Sequence, residues 1–472
     1  MNLKGISYYL SMFTAPFAVL AFLNILFSSY FDYFLNIDSY VISVFVSLTL
    51  SFLFFLFGNK SNKMINFQEQ LVLIILIYFF SSIIISIPFY FSNYHLTFIN
   101  SIFEAFSGIT GTGFTVFKNI KYLDPTLILW RAVSQWIGGL YFLIFLILFF
   151  SNSVFNYKLN NLVFSDDKSL NPETKIKEIS IKIFLIYGIL TIFLFFLFSF
   201  SGIRLFNSLN IALTTISTGG FLPTNSLSEI VKTNLQKTFL IFAFLISLIN
   251  FYFVYNLFKN KISLKKHYED LLIVLLVIFL SIFLLIFNGN SNFINILSNV
   301  LSSIGNSGIT TNNVPDNFSL YLISLTIIGG SVISATSGIK FIRIYILLKS
   351  TFLEMLRLVR PFNVLNRNIF LSDKKIESDT IKITFLIFIS FFISLFILSS
   401  ILLFDDISFE NAFKLSILTL TNTTSSELYG LQNIDFSNLL TSSKFFIIIF
   451  MIIGKIELIS VFLLIKKFIF KS

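Results

Sequence analysis

Apolar runs of about twenty residues recur along the whole chain, each long enough to cross a bilayer as a helix. Polar or charged breaks delimit ten of them, at 8–29, 38–58, 70–92, 124–151, 180–202, 236–258, 270–288, 319–348, 380–404 and 444–469. No segment between them is long and polar enough to form a separate soluble domain. Met1 to Lys4 leads into the first run without a small-residue cleavage site, so the start reads as a span and not as a cleaved leader.

The order of the runs carries more information than their number. After the first two, one pattern occurs four times: a span, an outside segment of roughly 30 residues, a second span and a basic inside loop. The chain therefore divides into a leading two-helix hairpin (1–66) and four repeats (67–157, 158–262, 263–358 and 359–472), the third with a broken second span. Each outside segment begins apolar, then runs into a cluster of Thr, Ser, Gly and Asn. The four clusters lie within Phe103–Thr115, Asn207–Phe221, Ser302–Thr311 and Asn411–Glu427. A single such cluster reads as loop punctuation. Four at corresponding places predict one shared structure.

Composition narrows the class. The 472 residues are 56% hydrophobic and 12% charged, against about 25% charged in soluble domains, and the mean hydropathy is +0.88. There is no Cys, which excludes disulfides, thiolate metal sites and cysteine nucleophiles. Two histidines, His95 and His267, cannot build a multi-histidine metal site and read as single loop residues. The net charge of +10 follows from basic inside loops and not from a nucleic-acid partner. With the N-terminus in the cytoplasm, 22 of the 33 Lys and Arg fall on inside segments or the inner ends of the flanking spans. No G-x-x-x-x-G-K-[ST] is present, so the chain does not hydrolyse a nucleotide to power itself, and the scarcity of carboxylates within spans argues against an intramembrane enzyme.

Four Thr/Gly clusters, each behind an apolar stretch, suit the passage of a dehydrated cation. Backbone carbonyls can replace the hydration shell, and aiming successive carbonyls inward needs conformations that favour Gly. Irregular backbone is tolerated at membrane depth where it lines a cavity. A half-helix pointing its C-terminus at the axis adds partial negative charge there. The spans thus predict an all-α polytopic membrane protein whose four span–pore-loop–span repeats stand in pseudo-fourfold arrangement around one pore.

Several motifs resemble the Trk/Ktr/HKT superfamily of potassium transporters, and its TrkH-type membrane subunit best. Ser107 to Val116 is similar to that family's first filter and Thr215 to Phe221 to its second. Trp130 to Gly139 resembles the start of the span after the first filter, Gly329 to Lys340 the Gly-rich break of the sixth core span, and Gly454-Lys455-Ile456-Glu457 an element of the last span. The resemblance covers nearly the whole chain, and the leading hairpin matches the extra helix pair of the TrkH type.

What the resemblance implies is specific. The filter would comprise Thr110, Gly111, Thr112 and Gly113; Ser217, Thr218 and Gly219; Asn306, Ser307 and Gly308; and Asn422, Thr423 and Thr424. Each repeat of the family supplies one filter glycine, here Gly113, Gly219 and Gly308, with Thr424 in its place in the fourth. A non-Gly residue there should bear a positive φ or change the turn, at a cost of ~1 kcal/mol or more, which relaxes strict K+ selectivity. The gate would be the flexible loop with Gly329, Gly330, Ser334, Ala335, Thr336, Ser337 and Gly338, together with Lys455 as a positive barrier where the family has Arg. Lys455 could instead pair with Glu457 or a carbonyl, and Lys340 and Arg343 would lie toward the cytoplasm. The cargo would be K+, with Na+ or Rb+ also carried, and no cofactor is implied. The implied setting is the bacterial inner membrane with both termini cytoplasmic. A homodimer would bind a cytosolic nucleotide-sensing ring of the TrkA type, for which Arg357, Arg360, Lys374 and Lys375 could form the dock; positive-inside bias explains those charges equally well.

Two further expectations are open to test. Glu104, Asp124, Asp316, Asp405, Asp406, Glu410 and Glu427 would stand near the outer mouth, either as a cation-concentrating ring or as ordinary loop charge. The alternative architecture is a secondary transporter with broken helices, coupling Na+ or H+ to another solute.

Overall fold

A computed structural model describes residues 1–61, 63, 65–150, 172–258, 267–287, 292–311, 318–359, 366–370, 375–405, 407–431 and 434–456. Arg360, Lys374, Asp316, Asp406 and Glu457 lie outside these residues, as do the residues of the last apolar run beyond 456.

Among the described residues the chain is helical, with one isolated bridge between Asn368 and Lys375. The leading hairpin is α1 (Leu3–Tyr30) and α2 (Ile37–Gly58). Repeat 1 follows as α3 (Phe67–Phe91), α4 (Phe98–Thr110) and α5 (Pro125–Phe150). Repeat 2 is α6 (Pro172–Phe200), α7 (Leu205–Ile216), α8 (Asn234–Leu248) and α9 (Phe251–Phe258). Repeat 3 is α10 (Tyr268–Phe287), α11 (Phe293–Ile304), α12 (Ser319–Ile328) and α13 (Phe341–Val359). Repeat 4 is α14 (Ser378–Leu402), α15 (Phe409–Leu420) and α16 (Thr441–Ile456). Among the described residues seven helices are long and apolar enough to span a membrane, and the pair α8 and α9 makes an eighth when taken as one bent span.

Two expected spans are not continuous. The run 236–258 bends by 104° between α8 and α9, and the run 319–348 is interrupted from Gly329 to Lys340. The breaks dock on one another: Ser331 N donates to Leu248 O at 3.1 Å and Phe251 N to Ile333 O at 2.7 Å. Each break satisfies backbone groups freed by the other, which is how irregular backbone survives at membrane depth.

The short helices α4, α7, α11 and α15 are too short to span, and their C-terminal halves are buried. Glycines let the second spans approach them. A Cβ on Gly138 would lie 1.9 Å from Ile109 O, and one on Gly454 would lie 2.3 Å from Leu420 O. Lysines then tie successive repeats. Lys237 Nζ donates to Asn295 Oδ1 at 2.9 Å, joining repeat 2 to repeat 3. Lys444 Nζ donates to Asn100 Oδ1 at 2.8 Å, joining repeat 4 to repeat 1. Asn is the third residue of all four short helices (Asn100, Asn207, Asn295 and Asn411). Lys237 and Lys444, however, are the fourth residues of α8 and α16 where α5 and α12 have Ile128 and Leu322, so this tie is two-fold and not four-fold.

The leading hairpin packs on repeat 1, where Tyr141 Oη donates to Phe13 O at 2.6 Å and Asn24 Nδ2 to Thr126 O at 3.1 Å. Its other apolar faces, as at Phe45, Phe52 and Leu53, are exposed, as a lipid-facing surface requires.

Candidate ion pathway

Within two residues past the end of each short helix comes a residue with left-handed backbone. These are Gly111 (φ 77°), Thr218 (φ 56°), Asn306 (φ 59°) and Asn422 (φ 48°). Their equivalence fixes the register of the four turns. Two residues on come Gly113, Gly220, Gly308 and Thr424, and these four meet. A Cβ on Gly113 would lie 2.9 Å from Gly220 Cα and 3.0 Å from Thr424 Cβ; one on Gly220 would lie 2.3 Å from Thr424 Cβ; one on Gly308 would lie 2.8 Å from Thr424 O. Gly220, not Gly219, therefore stands with Gly113 and Gly308. A Cβ on Gly219 would instead strike the Gln135 side chain at 2.2 Å.

The fourth turn also differs from its expected form. Gly113 (φ 80°) and Gly308 (φ 66°) are left-handed, whereas Thr424 is not among the residues of positive φ. The positive φ of repeat 4 falls on Asn422, a residue type that tolerates it. Thr424 is placed without the predicted strain, and its side chain acts on the other repeats. Its Oγ1 donates to Gly113 O at 2.9 Å. Ser426 Oγ donates to Gly308 O at 2.6 Å. Two carbonyls from opposite repeats thus accept hydroxyls of the fourth.

Asparagines stitch the inner level. Asn306 Nδ2 donates to Thr326 O at 2.8 Å and to Thr423 Oγ1 at 3.2 Å. Asn422 Nδ2 donates to Met451 O at 2.9 Å and to Thr112 Oγ1 at 3.0 Å. Thr110 and Thr112 hydroxyls are 2.8 Å apart. Ser217 Oγ turns back to Leu213 O at 2.9 Å, and Ser307 Oγ lies 3.0 Å from Ser302 Oγ.

One face of α5 braces the turns from behind. Arg131, Gln135, Gly138 and Phe142 fall at helical spacing on that face. Arg131 Nε pairs with Glu104 Oε1 at 2.9 Å, both side chains fully buried. Glu104 Oε2 accepts Val116 N at 2.8 Å, and Glu104 Oε1 accepts Thr115 Oγ1 at 3.0 Å. Arg131 also lies over the Phe221 ring at 4.1 Å. Gln135 Oε1 accepts Phe221 N at 3.0 Å. The sequence offered one signal for these residues: a charge and an amide four apart inside an apolar run.

Outside the turns lies a cavity of about 470 Å3, lined among others by Gly113, Gly220, Gly308, Thr424, Glu427 and Asp435. Among the described residues, the expected acidic ring is largely absent from its lining. Glu104 is buried against Arg131, and Asp124 is buried, accepting from Asn36 Nδ2 at 3.1 Å and Thr126 Oγ1 at 2.6 Å. Asp405 accepts Leu440 N at 2.7 Å, and Glu410 pairs with Lys414 at 2.7 Å. Glu427 lines the mouth, joined by Asp435, which pairs with Lys118 at 2.7 Å. Partial burial would raise the Asp435 carboxyl, but hydrogen bonds from Lys118 and Ser437 hold it below its ordinary value.

Inside the turns, the break between α12 and α13 lies across the path. Gly329 (φ 67°) and Gly338 (φ 78°) are its corners, and a Cβ on Gly329 would lie 2.4 Å from Ser337 O. Ala335 O accepts Thr218 Oγ1 at 3.2 Å and Lys455 Nζ at 3.3 Å. Lys455 Nζ also reaches Ser337 Oγ at 3.4 Å and sits 4.5 Å above the Phe142 ring. A Cβ on Gly111 would be 3.7 Å from that ammonium, which places Lys455 directly beneath the turns with a carbonyl as its partner. Lys340 does not extend toward the inner surface; its Nζ folds back to Thr336 O. Gly330 N donates to Thr336 Oγ1 at 2.9 Å, and Ser334 Oγ lies 2.7 Å from Thr336 Oγ1. His267 is not a surface residue either. It is buried beside Asp270 at 3.6 Å and Asn256 at 3.2 Å.

Comparison with known proteins shows what the chain and its fold are similar to. A family described as TrkH, cation transport protein, matches residues 40–271. The chain is 26% identical over 457 residues to the Trk system potassium uptake protein TrkG of Escherichia coli, covering 91% of this chain and 92% of that protein. It is 25% identical over 434 residues to an uncharacterized cation transporter of Methanocaldococcus jannaschii, covering 87% of this chain and 85% of that one. The crystal structure of the potassium transporter TrkH from Vibrio parahaemolyticus superposes with a TM-score of 0.84 at 21% identity, covering 98% of both chains.

Proposed function

Because the chain belongs to the TrkH-type branch of the Trk/Ktr/HKT superfamily, we propose that it takes up K+ through the axis on which its four turns converge. The observation that carries this reading is the meeting of Gly113, Gly220, Gly308 and Thr424 between the outer cavity and the intramembrane loop. Four short helices end at that level, so their C-terminal partial charges favour a cation there, and the carbonyls beside the turns can replace hydration water. The filter comprises the turns that begin at Thr110, Ser217, Asn306 and Asn422. The loop 329–338 with Lys455 is the gate: backbone, hydroxyls and one ammonium stand where an ion leaving the turns must pass. Four turns meeting on one axis leave no place for the paired inverted repeats of a broken-helix secondary transporter.

The protein sits in the bacterial inner membrane with both termini cytoplasmic, works as a homodimer, and takes its regulation from a cytosolic nucleotide-binding ring of the TrkA type, docked on basic inner residues such as Arg357 and Lys375. It is a transporter and not an enzyme, and K+ is its cargo, with no cofactor. Rb+ uptake into proteoliposomes under a diffusion potential tests the reading. Uptake blocked better by K+ than by Na+ is expected. Absence of uptake, with the regulatory ring present as well as absent, overturns it.

A further inference from the structure

The intramembrane loop is wound around a cation that belongs to the chain itself. Lys340 has a φ of 76°, which turns its side chain back into the loop, where it is buried. Its Nζ donates to Thr336 O at 2.5 Å and to Ser334 O at 3.3 Å, with Ser334 Oγ and Thr336 Oγ1 each at 3.4 Å. The Phe142 ring lies 5.5 Å away. Two carbonyls and two hydroxyls from a three-residue stretch thus surround one ammonium. Ammonium and K+ are close in size, and oxygen dipoles of this kind are the ligands alkali cations take in proteins. Glu269 accepts Val332 N at 2.9 Å, and its carboxyl lies within Coulombic reach of Lys340 and Arg343.

We propose that Ser334 and Thr336 form a monovalent-cation site in the gate, filled here by the Lys340 ammonium as a tethered stand-in for K+. The packed form of the loop requires that site to be filled. The two hydroxyls keep partners within the loop, but an empty site leaves the Ser334 and Thr336 carbonyls without the ammonium and away from water, and buried polar atoms without partners are costly. The same oxygens accept a free K+ when the ammonium is removed.

The absence of cysteine from the chain makes the test clean. Ser331 is fully buried in the loop and its Oγ has no partner, so S331C is a near-isosteric probe. Labelling of detergent-purified S331C by a water-soluble thiol reagent reads loop opening and not transport, so the result is independent of uptake. S331C alone should label slowly, at a rate unaffected by exchanging K+ for N-methylglucamine. S331C/K340Q should label about tenfold faster in N-methylglucamine, and K+, Rb+ or ammonium should slow it again in a saturable way. Fast labelling of S331C/K340Q with no cation dependence overturns the site, as does slow labelling in both media. Should K340Q not fold, S331C/T336V keeps the lysine and removes one ligand hydroxyl. Several-fold faster labelling is then expected, and an unchanged rate counts against the proposal.

Discussion

The Thr424 hydroxyl donates to the Gly113 carbonyl at 2.9 Å, so a side chain of the fourth repeat occupies an oxygen of the first in the ring proposed as the cation path. That oxygen cannot give its full field to an ion while the hydroxyl holds it. Thr424→Gly should free the carbonyl and sharpen discrimination. A neutral hydrogen bond contributes about 1 kcal/mol, which corresponds to about a fivefold gain in preference for K+ over Na+. Competition by K+ and Na+ for Rb+ uptake measures it. Thr424→Val, which keeps the crowding and drops the donor, separates the bond from the space.

Gly220 stands against the same residue. Its Cβ would lie 2.3 Å from Thr424 Cβ, too close without movement of backbone. Gly220→Ala should abolish uptake at normal membrane level, and Gly220→Ala with Thr424→Gly should recover part of it. Equal uptake by the single and double variants would separate the two positions.

Breaking the Glu104–Arg131 pair is expected to cost more than removing it. A buried charge left alone costs about 3–5 kcal/mol, so Arg131→Met or Glu104→Gln should lower the melting temperature in detergent strongly. The double variant Glu104→Gln/Arg131→Met should be less destabilised than Arg131→Met alone. Additive losses would mean that the two side chains act independently.

Lys455 meets the loop through Ala335 O and Ser337 Oγ. Lys455→Met should raise basal Rb+ flux several-fold by removing both the charge beneath the turns and the tie to the loop. Deletion of 334–337 should also raise it. Lys455→Arg should stay near the parent level, because a guanidinium can still donate to both acceptors. A fall in flux with Lys455→Met in folded protein would show the ammonium to be a support and not a barrier.

Much of this architecture was legible from patterning. Apolar runs mark the spans, and four Thr/Gly clusters in matching places mark the turns, because membrane depth tolerates irregular backbone in few settings. Register was harder to read. Gly219 and Gly220 are adjacent, and the choice between them depends on Thr218, a β-branched residue held at positive φ against its preference. Its bond to Ala335 O comes from a residue more than a hundred positions away, which no local rule contains. At the position where the family has glycine, a non-Gly residue implies a positive φ or a changed turn; Thr424 is not among the residues of positive φ, and Asn422 is. Glu104 sits in a short helix near the outer surface, yet its partner Arg131 stands on the next span and draws it inward.

The closing contacts of the ring join residues far apart along the chain. Thr424 meets Gly113, Asn422 meets Thr112, and Lys444 meets Asn100, across separations of 311, 310 and 344 residues. Contacts this distant form late and slowly, because loop closure comes before any gain. The first three repeats must wait in the bilayer with one side of the conduit missing. The ring proposed as the ion path is thus closed only by the last repeat, which brings Asn422 and Thr424 to Thr112 and Gly113.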